Sequence, residues 1–215
     1  MTFLSNSISK LAFILISIIF SSYSVVAADI VKGEQLYNSC ISCHGDKAQG
    51  NDELNAPTLA GQYQWYLARQ LQNFKDGKRG AKATDQYGQQ MVAMANLLVD
   101  EAAIENVSAY LASLEKTKTS TTITADLRNG DNKYNAVCGA CHGVNAQGNE
   151  NLQAPNLSLL SPLYLTAQIK NYQSSNRGYH ADDKYGRQMK MMAGMVKNDT
   201  DLNDIVAFIN AQPIK

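Results

Sequence analysis

Apolar side chains recur along the chain at helical spacing, and each such segment occurs twice. The clearest pattern places apolar residues at i, i+4 and i+7, on one face of a helix. It is formed by Leu67, Leu71 and Phe74, and again by Leu165, Ile169 and Tyr172. A later segment of each copy is also helical in pattern, with Ile104, Val107, Leu111 and Leu114, and then Leu202, Ile205 and Ile209. Shorter helices are predicted from Gly33 to Ser39 and from Gly130 to Val137.

The polar residues agree with this assignment. Acidic side chains fall in the first turns of the later helices, where the helix dipole favours negative charge; they are Asp100, Glu101, Asp199 and Asp201. No run alternates between apolar and polar residues as a half-buried strand would. The rest of each copy is predicted to be loop. The pattern therefore predicts an all-α protein.

The two copies are related by a constant shift of 98 residues, and no gap is needed from the first cysteine onward. The shift places Cys40, Cys43 and His44 on Cys138, Cys141 and His142, Pro57 on Pro155, Arg79-Gly80 on Arg177-Gly178, Tyr87-Gly88 on Tyr185-Gly186, and Met91 and Met94 on Met189 and Met192. A match of this length indicates duplication, and so two domains of one fold. The predicted domains are residues 29–116 and 126–215. The Thr-rich residues 117–125 between them are predicted to be an exposed linker.

Residues 1–28 have the order of a secretory signal peptide. Lys10 precedes an apolar block from Leu11 to Phe20, and small residues follow up to Ala27 and Ala28. A membrane-spanning helix needs about 20 apolar residues, and this block is about half as long. We therefore predict a periplasmic protein cleaved after Ala27 or Ala28. The alternative is an uncleaved anchor, which would associate the protein with the membrane.

The overall charge excludes one class of partner. The formal net charge is zero, whereas nucleic-acid-binding proteins normally show a basic excess. The segment 1–28 holds one Lys and no acidic residue, so its removal leaves a mildly acidic chain. No nucleic-acid partner is expected.

The four cysteines of the chain lie in two Cys-x-x-Cys-His motifs, at residues 40–44 and 138–142. Two intervening residues set the thiols about one helical turn apart, so that both reach the vinyl groups on one edge of a porphyrin. The histidine that follows can bind the iron with a neutral imidazole nitrogen. The motif is therefore interpreted as covalent attachment of haem c, with two haems per chain.

Two other interpretations of the cysteines, a zinc site and disulfides, are disfavoured. Two Cys-x-x-Cys pairs can bind zinc, but a zinc site would draw its ligands from both copies, whereas each copy here holds a complete set. A disulfide within each pair is the second alternative, and the histidine after each pair disfavours it.

The sixth iron ligand has methionine candidates in both copies. The one histidine outside the motifs, His180, has no counterpart in the first copy. Met91 and Met94 recur as Met189 and Met192, just before the last predicted helix. Methionine also fills gaps in protein cores, so one of each pair is expected to do only that. The repeat does not distinguish between the two.

On these residues the chain resembles the class I cytochromes c, and as a two-unit chain the dihaem cytochrome c4 group. The matching features are the two haem motifs, Pro57-Thr58-Leu59-Ala60-Gly61-Gln62, the Met-x-x-Met segment and Ser108-Ala109-Tyr110-Leu111. The resemblance implies two tandem class I cytochrome c-like domains related by a pseudo-twofold axis. It favours Met91 and Met189 as iron ligands, with Met94 and Met192 as alternates. It also implies that the carbonyls of Pro57 and Pro155 accept a hydrogen bond from the histidine on the iron.

The function that this resemblance implies is that of a periplasmic electron carrier rather than an enzyme. The expected partners are a quinol-oxidising complex, a terminal oxidase or another periplasmic redox protein. One alternative is a cytochrome subunit of a periplasmic oxidoreductase, for example with a flavoprotein sulfide dehydrogenase. A dihaem enzyme is the other, and it would need an open iron or an additional cysteine ligand.

Overall fold

A computed structural model describes residues 27–118, 121 and 123–214. Most of the predicted signal peptide lies outside the described residues. Ten α-helices are found in the described part: α1 Ile30–Tyr37, α2 Ile41–His44, α3 Gln64–Lys75, α4 Gln86–Ala95, α5 Glu101–Ser113, α6 Leu127–Val137, α7 Gly139–His142, α8 Pro162–Gln173, α9 Lys184–Ala193 and α10 Asp199–Ala211. The remaining regular structure there is one 3-10 turn, Asp52–Leu54, and two isolated bridges. The all-α prediction is confirmed.

Helices α4 and α9 correct the sequence-based prediction, which placed loops there. Each begins at a buried aspartate whose side chain accepts a hydrogen bond from a glycine amide, Asp85 from Gly88 and Asp183 from Gly186, both at 2.9 Å. A Cβ atom on Gly88 would lie 2.2 Å from a carboxylate oxygen of Asp85. The repeated Tyr-Gly pair therefore makes room for a helix cap, a signal that apolar periodicity does not carry.

Each domain is built around a crossing of its first and last helices. Helix α1 packs on α5, and α6 packs on α10. Asp29 and Asp126 cap α1 and α6, so both helices begin earlier than predicted. The first core includes Tyr37, Leu67, Ile104, Val107 and Leu111; the second includes Tyr134, Leu165, Ile205, Val206 and Ile209. None of the described helices is long and apolar enough to cross a membrane.

The two domains meet through a symmetric set of polar side chains, two buried arginines and two partly buried glutamines. Arg79 donates to Gln70 of its own domain at 2.8 Å and to Gln168 of the other at 3.2 Å. Arg177 donates to Gln168 at 2.8 Å and to Gln70 at 3.0 Å. Each arginine bonds to the glutamine of its own domain and to the equivalent glutamine of the other domain, as expected for an interface with twofold symmetry. The predicted pseudo-twofold relation is confirmed.

Other interdomain contacts have no symmetric counterpart, and the most deeply buried of these is made by Gln62. The Gln62 amide donates to the backbone oxygen of Asn156 at 2.8 Å and accepts from its backbone nitrogen at 3.1 Å. The corresponding position in the second domain is Leu160, which joins the apolar core there. Gln62 is 2 % exposed, so both hydrogen bonds are shielded from water.

We expect Gln62→Ala to destabilise the domain contact by about 2 kcal/mol, because it leaves two buried backbone groups of Asn156 without partners. Thermal unfolding should then separate into two transitions. Gln64→Ala is the control, since Gln64 bonds to Glu105 within the first domain at 2.9 Å. An unchanged single transition in Gln62→Ala would contradict the prediction.

The described residues of the linker are exposed or partly exposed, but they are also bonded to the protein. These residues lie along α10, whose polar side chains bond to them. Asn210 donates to the Thr121 carbonyl at 2.8 Å, and Asn203 to the Thr124 carbonyl at 3.2 Å. Ile123 packs against the second core, and Lys118 donates to the Gln212 carbonyl at 3.0 Å. These contacts fix the described part of the linker to the second domain.

Candidate cofactor sites

Each Cys-x-x-Cys-His motif forms a short helix that places its histidine inside the domain. In the first domain the backbone nitrogen of His44 donates to the Cys40 carbonyl at 2.9 Å. His44 is 5 % exposed and His142 is 4 % exposed. The helix therefore holds the imidazole inside while Cys43 and Cys141 stay at the surface.

Both histidines are held in one tautomer. His44 Nδ1 lies 2.9 Å from the Pro57 carbonyl oxygen, and His142 Nδ1 lies 3.0 Å from that of Pro155. A carbonyl oxygen can only accept, so Nδ1 carries the proton and Nε2 keeps its lone pair. This is the form in which an imidazole binds a metal ion, with its orientation fixed from behind.

The protein also keeps these imidazoles neutral. Burial lowers the pKa of His44 and of His142, because a charged ring is poorly solvated in the interior. The hydrogen bond to the proline carbonyl works in the opposite direction and only partly offsets the effect of burial. A neutral ring is the form that can donate electrons to a metal.

The loop between each histidine and its proline folds back on one alanine. Ala48 and Ala146 are fully buried and adopt left-handed backbone, with φ of 54° and 57°. The Ala48 carbonyl accepts from Leu59 at 2.8 Å, and the Ala146 carbonyl accepts from Leu157 at 2.8 Å. This loop closure brings the proline carbonyl to the histidine.

No disulfide joins the four cysteines, so each sulfur is available for covalent attachment of a cofactor. In the part of the chain that the structure describes, no three His, Cys, Asp or Glu side chains gather around one point that could hold a metal ion. The zinc alternative therefore lacks a ligand set among these residues.

Sequence reasoning missed two tyrosines that hold the motif in place. The Tyr37 hydroxyl donates to the Gly45 carbonyl at 2.6 Å, and the Tyr134 hydroxyl donates to the Gly143 carbonyl at 2.7 Å. Both rings are buried, and they join the first helix of each domain to the residue after the histidine. They are 97 residues apart, so a constant shift of 98 does not align them. A repeat search that allows one gap before the first cysteine would find them.

The candidate methionines lie on α4 and α9, which pack against α3 and α8. Met91, Met94 and Met189 are partly buried, and Met192 is 36 % exposed. Two residues three apart on a helix project to the same side. The fold therefore brings both members of each pair to one side of the helix, and does not separate the first from the second.

The domain interface contains two buried guanidinium groups. Arg79 and Arg177 are 8 % and 6 % exposed, and each lies 4.5 Å from the centre of an aromatic ring, Phe74 and Tyr172. Among the described residues neither forms an ion pair with a carboxylate, and the Arg79 Nε atom is buried without a hydrogen-bond partner. A buried charge normally has a partner of opposite charge. None of the described carboxylates fills that role for Arg79 or Arg177.

Comparison with known proteins decides the family. The cytochrome c family model matches residues 30–115 and 127–212, one match for each domain. The chain belongs to the cytochrome c family. Two tandem matches and its relatives place it in the dihaem cytochrome c4 group, and it carries two covalently bound haem c groups.

Three similar proteins illustrate the relationship. Cytochrome c4 of Stutzerimonas stutzeri is 28 % identical over 73 % of this chain and 78 % of its own. The thiosulfate dehydrogenase electron acceptor of Thiomonas intermedia (strain K12) is 29 % identical over 82 % of this chain and 79 % of its own. The crystal structure of reduced recombinant cytochrome c4 from Pseudomonas stutzeri superposes with a TM-score of 0.70 at 24 % identity, covering 87 % of this chain and all of that one.

The residues of this cytochrome fit haem c. Each domain offers two cysteine sulfurs for covalent attachment and an imidazole with an available Nε2 lone pair. It also offers a helix that carries two methionine thioethers. The buried Arg79 Nε without a partner suits an anionic group such as a haem propionate. When bound, the iron supplies a one-electron redox couple whose potential depends on the axial ligands and on burial.

Proposed function

We propose that this cytochrome is a periplasmic electron carrier whose two haems are both six-coordinate. The observation that carries the proposal is that each domain holds a complete set of candidate ligands. An iron with both axial positions filled exchanges electrons without binding substrate. The dihaem electron-transfer character of the cytochrome c4 relatives supports the same conclusion.

We assign the haem contacts residue by residue. Cys40 and Cys43 hold the first haem, and Cys138 and Cys141 hold the second. His44 and His142 supply the proximal nitrogen, held by Pro57 and Pro155. Met91 and Met189 supply the distal sulfur, with Met94 and Met192 as alternates. The proposed domains, residues 29–116 and 126–215, each enclose one such set.

The buried arginines would balance the charge of haem propionates at the domain interface. We expect Arg79→Gln to lower the reduction potential of the neighbouring haem by an amount on the order of 1 kcal/mol, because loss of a positive charge favours the ferric state. A redox titration monitored by absorbance measures this. Arg79→Lys keeps the charge and should retain most of the potential; an equal fall in both variants would contradict the electrostatic explanation.

The proposed partners are a quinol-oxidising complex as electron donor and a terminal oxidase as acceptor. One relative, at 30 % identity over 58 % of this chain, is a Cbb3-type cytochrome c oxidase subunit CcoP of Azospirillum brasilense. A second candidate role is as the cytochrome partner of an oxidoreductase. The likeness to a thiosulfate dehydrogenase electron acceptor favours it. In both roles the protein accepts and passes on electrons.

The spectrum of the purified holoprotein tests the proposal. A pyridine haemochrome assay should give two haems per chain, and the oxidised protein should be low-spin. The reduced protein should then be reoxidised by oxidase-containing membranes, and the oxidised form reduced by quinol and the quinol-oxidising complex. A high-spin ferric band with rapid peroxide turnover would instead identify a haem enzyme.

The same purification tests location. We propose that the protein is exported, that it is cleaved after Ala27 or Ala28, and that it is recovered in the periplasmic fraction. Amino-terminal sequencing of the mature protein would establish the cleavage site. An intact amino terminus in the membrane fraction would identify an uncleaved anchor.

A further inference from the structure

The helices that carry the candidate methionines differ in charge between the two domains. From residue 184 to residue 198 the second domain has four basic residues and no acidic residue: Lys184, Arg187, Lys190 and Lys197. The matching positions of the first domain are Gln86, Gln89, Val92 and Val99. The repeat is otherwise close here, so the charge is a property of one domain only.

The basic side chains form one accessible surface, which we call the α9 face and define by Lys184, Arg187, Lys190 and Met191. Residues 184, 187 and 191 follow i, i+3, i+7 spacing and share one side of the helix. Lys184 and Arg187 are exposed, Lys190 is partly exposed, and Met191 is 68 % exposed. The opposite side of the helix, at Gly186 and Ala193, is buried against the domain.

The positive charge of this face is not neutralised by neighbouring acids. Among the described residues, none of its basic side chains belongs to an ion pair. The flanking acids have other contacts: Asp183 caps α9, Asp182 lies 4.0 Å from His180, and Asp199 lies 3.2 Å from Lys170. The α9 face therefore carries three positive charges without an ion-pair partner among the described residues.

We propose that the α9 face is the docking surface for an acidic redox protein that exchanges electrons with the second domain; this rests on the proposed carrier function. Charge complementarity names the partner class, since a basic surface steers an acidic one into contact. Met191 and Arg187 are of residue types enriched at protein interfaces, and the two lysines beside them suit the polar rim of such an interface. The same helix carries Met189 and Met192, so docking here brings the partner to the helix of the candidate distal ligand.

An anionic membrane is the less favoured occupant. Helices that lie on membranes insert a face of large apolar side chains below their basic face. In α9 the side opposite the charges packs into the domain, and the large apolar side chains exposed on the helix and just after it are three methionines, Met191, Met192 and Met195, rather than a row of aromatic or branched residues. The α9 face therefore has charge for attraction but little apolar area for insertion.

The test uses the reduced holoprotein and an oxidised acidic blue copper protein of higher potential as the probe. One electron passes to Cu(II), giving Cu(I) and the ferric protein, and no bond forms or breaks. The variant Lys184→Gln/Arg187→Gln/Lys190→Val gives the three basic positions of the α9 face the residues of the first domain and keeps Met191. The control Lys32→Gln/Lys47→Gln/Arg128→Gln removes three exposed positive charges elsewhere. Stopped-flow absorbance gives the second-order rate constants.

At low ionic strength we expect the α9 variant to react about tenfold more slowly than the wild type and the control less than twofold more slowly. Added salt should slow the wild type and leave the α9 variant nearly unchanged. Oxidation by neutral benzoquinone should be equal in all three. Equal slowing of control and variant, or slowing of the variant toward benzoquinone, would overturn the proposal.

Vesicles of phosphatidylglycerol and phosphatidylcholine provide the membrane arm. If the α9 variant loses binding to these vesicles while its rate with the copper protein is unchanged, the face binds lipid and the proposal is wrong. Failure of the wild type to be oxidised by either reagent would instead refute the carrier function, which separates the two conclusions.

Discussion

Replacing Met91 by alanine is expected to remove about half of the far-red charge-transfer band that marks a methionine–iron bond in the oxidised protein. The band would have two contributions, one from each haem, and this substitution would abolish the first. The potential of that haem should also fall, since a thioether ligand favours the ferrous state. Absorbance and a redox titration of the same sample measure both effects.

The matched variant is Met94→Ala, three residues further along α4. Both side chains project to the same side of the helix, so the fold alone does not choose between them. We expect Met94→Ala to keep the band and to lose only some stability, as expected when a partly buried methionine is truncated. Loss of the band in Met94→Ala with retention in Met91→Ala would reverse the assignment, and Met189 and Met192 allow the same comparison in the second domain.

The sequence was sufficient to predict the parts of the site that are local in the chain. The cysteines and the histidine of a motif lie within five residues, and a single short helix sets their arrangement. Fold class and duplication were equally accessible, because both are carried by spacing alone. The proline contact also follows from the family resemblance, and the structure shows a hydrogen bond between that carbonyl and His44.

Other features depend on contacts between distant residues and could not be predicted from spacing. Asp85 caps helix α4 only because Gly88 leaves room, a contact that apolar spacing does not show, although Tyr87, Met91 and Met94 do repeat at i, i+4 and i+7. The hydrogen bond from Tyr37 to Gly45 was missed because Tyr37 and Tyr134 are 97 residues apart, whereas the repeat shift is 98. The exchange of hydrogen bonds between Arg79 and Gln168 becomes visible only once the two domains are placed together. Apolar spacing therefore predicted the helices that build the two cores, whereas helix caps and interdomain contacts required the folded structure.

Replacing Gly33 by alanine is expected to destabilise the first domain by about 3 kcal/mol or more, because the added methyl group cannot be accommodated. Its Cβ would lie 2.1 Å from the Asn106 carbonyl oxygen and 2.8 Å from the Tyr110 Cβ. The first of these atoms belongs to the backbone of α5 and cannot rotate away. The two helices would have to separate, which would also disturb the hydrogen bond from the Asp29 amide to Asn106, now 2.7 Å long.

The second domain repeats this arrangement, and the motif itself provides the control. A Cβ on Gly130 would lie 2.1 Å from the Asp204 carbonyl oxygen, so Gly130→Ala should destabilise its domain equally. At Gly139 the nearest atom is the end of the flexible Asn135 side chain, at 2.8 Å, and Gly139→Ala should change stability by less than about 1 kcal/mol. Guanidinium unfolding followed by circular dichroism measures all three variants. If Gly33→Ala unfolded at the same guanidinium concentration as the wild type, the prediction would be wrong. The α1 and α5 helices would then tolerate being moved apart, and their close contact would not be required for the fold that positions His44.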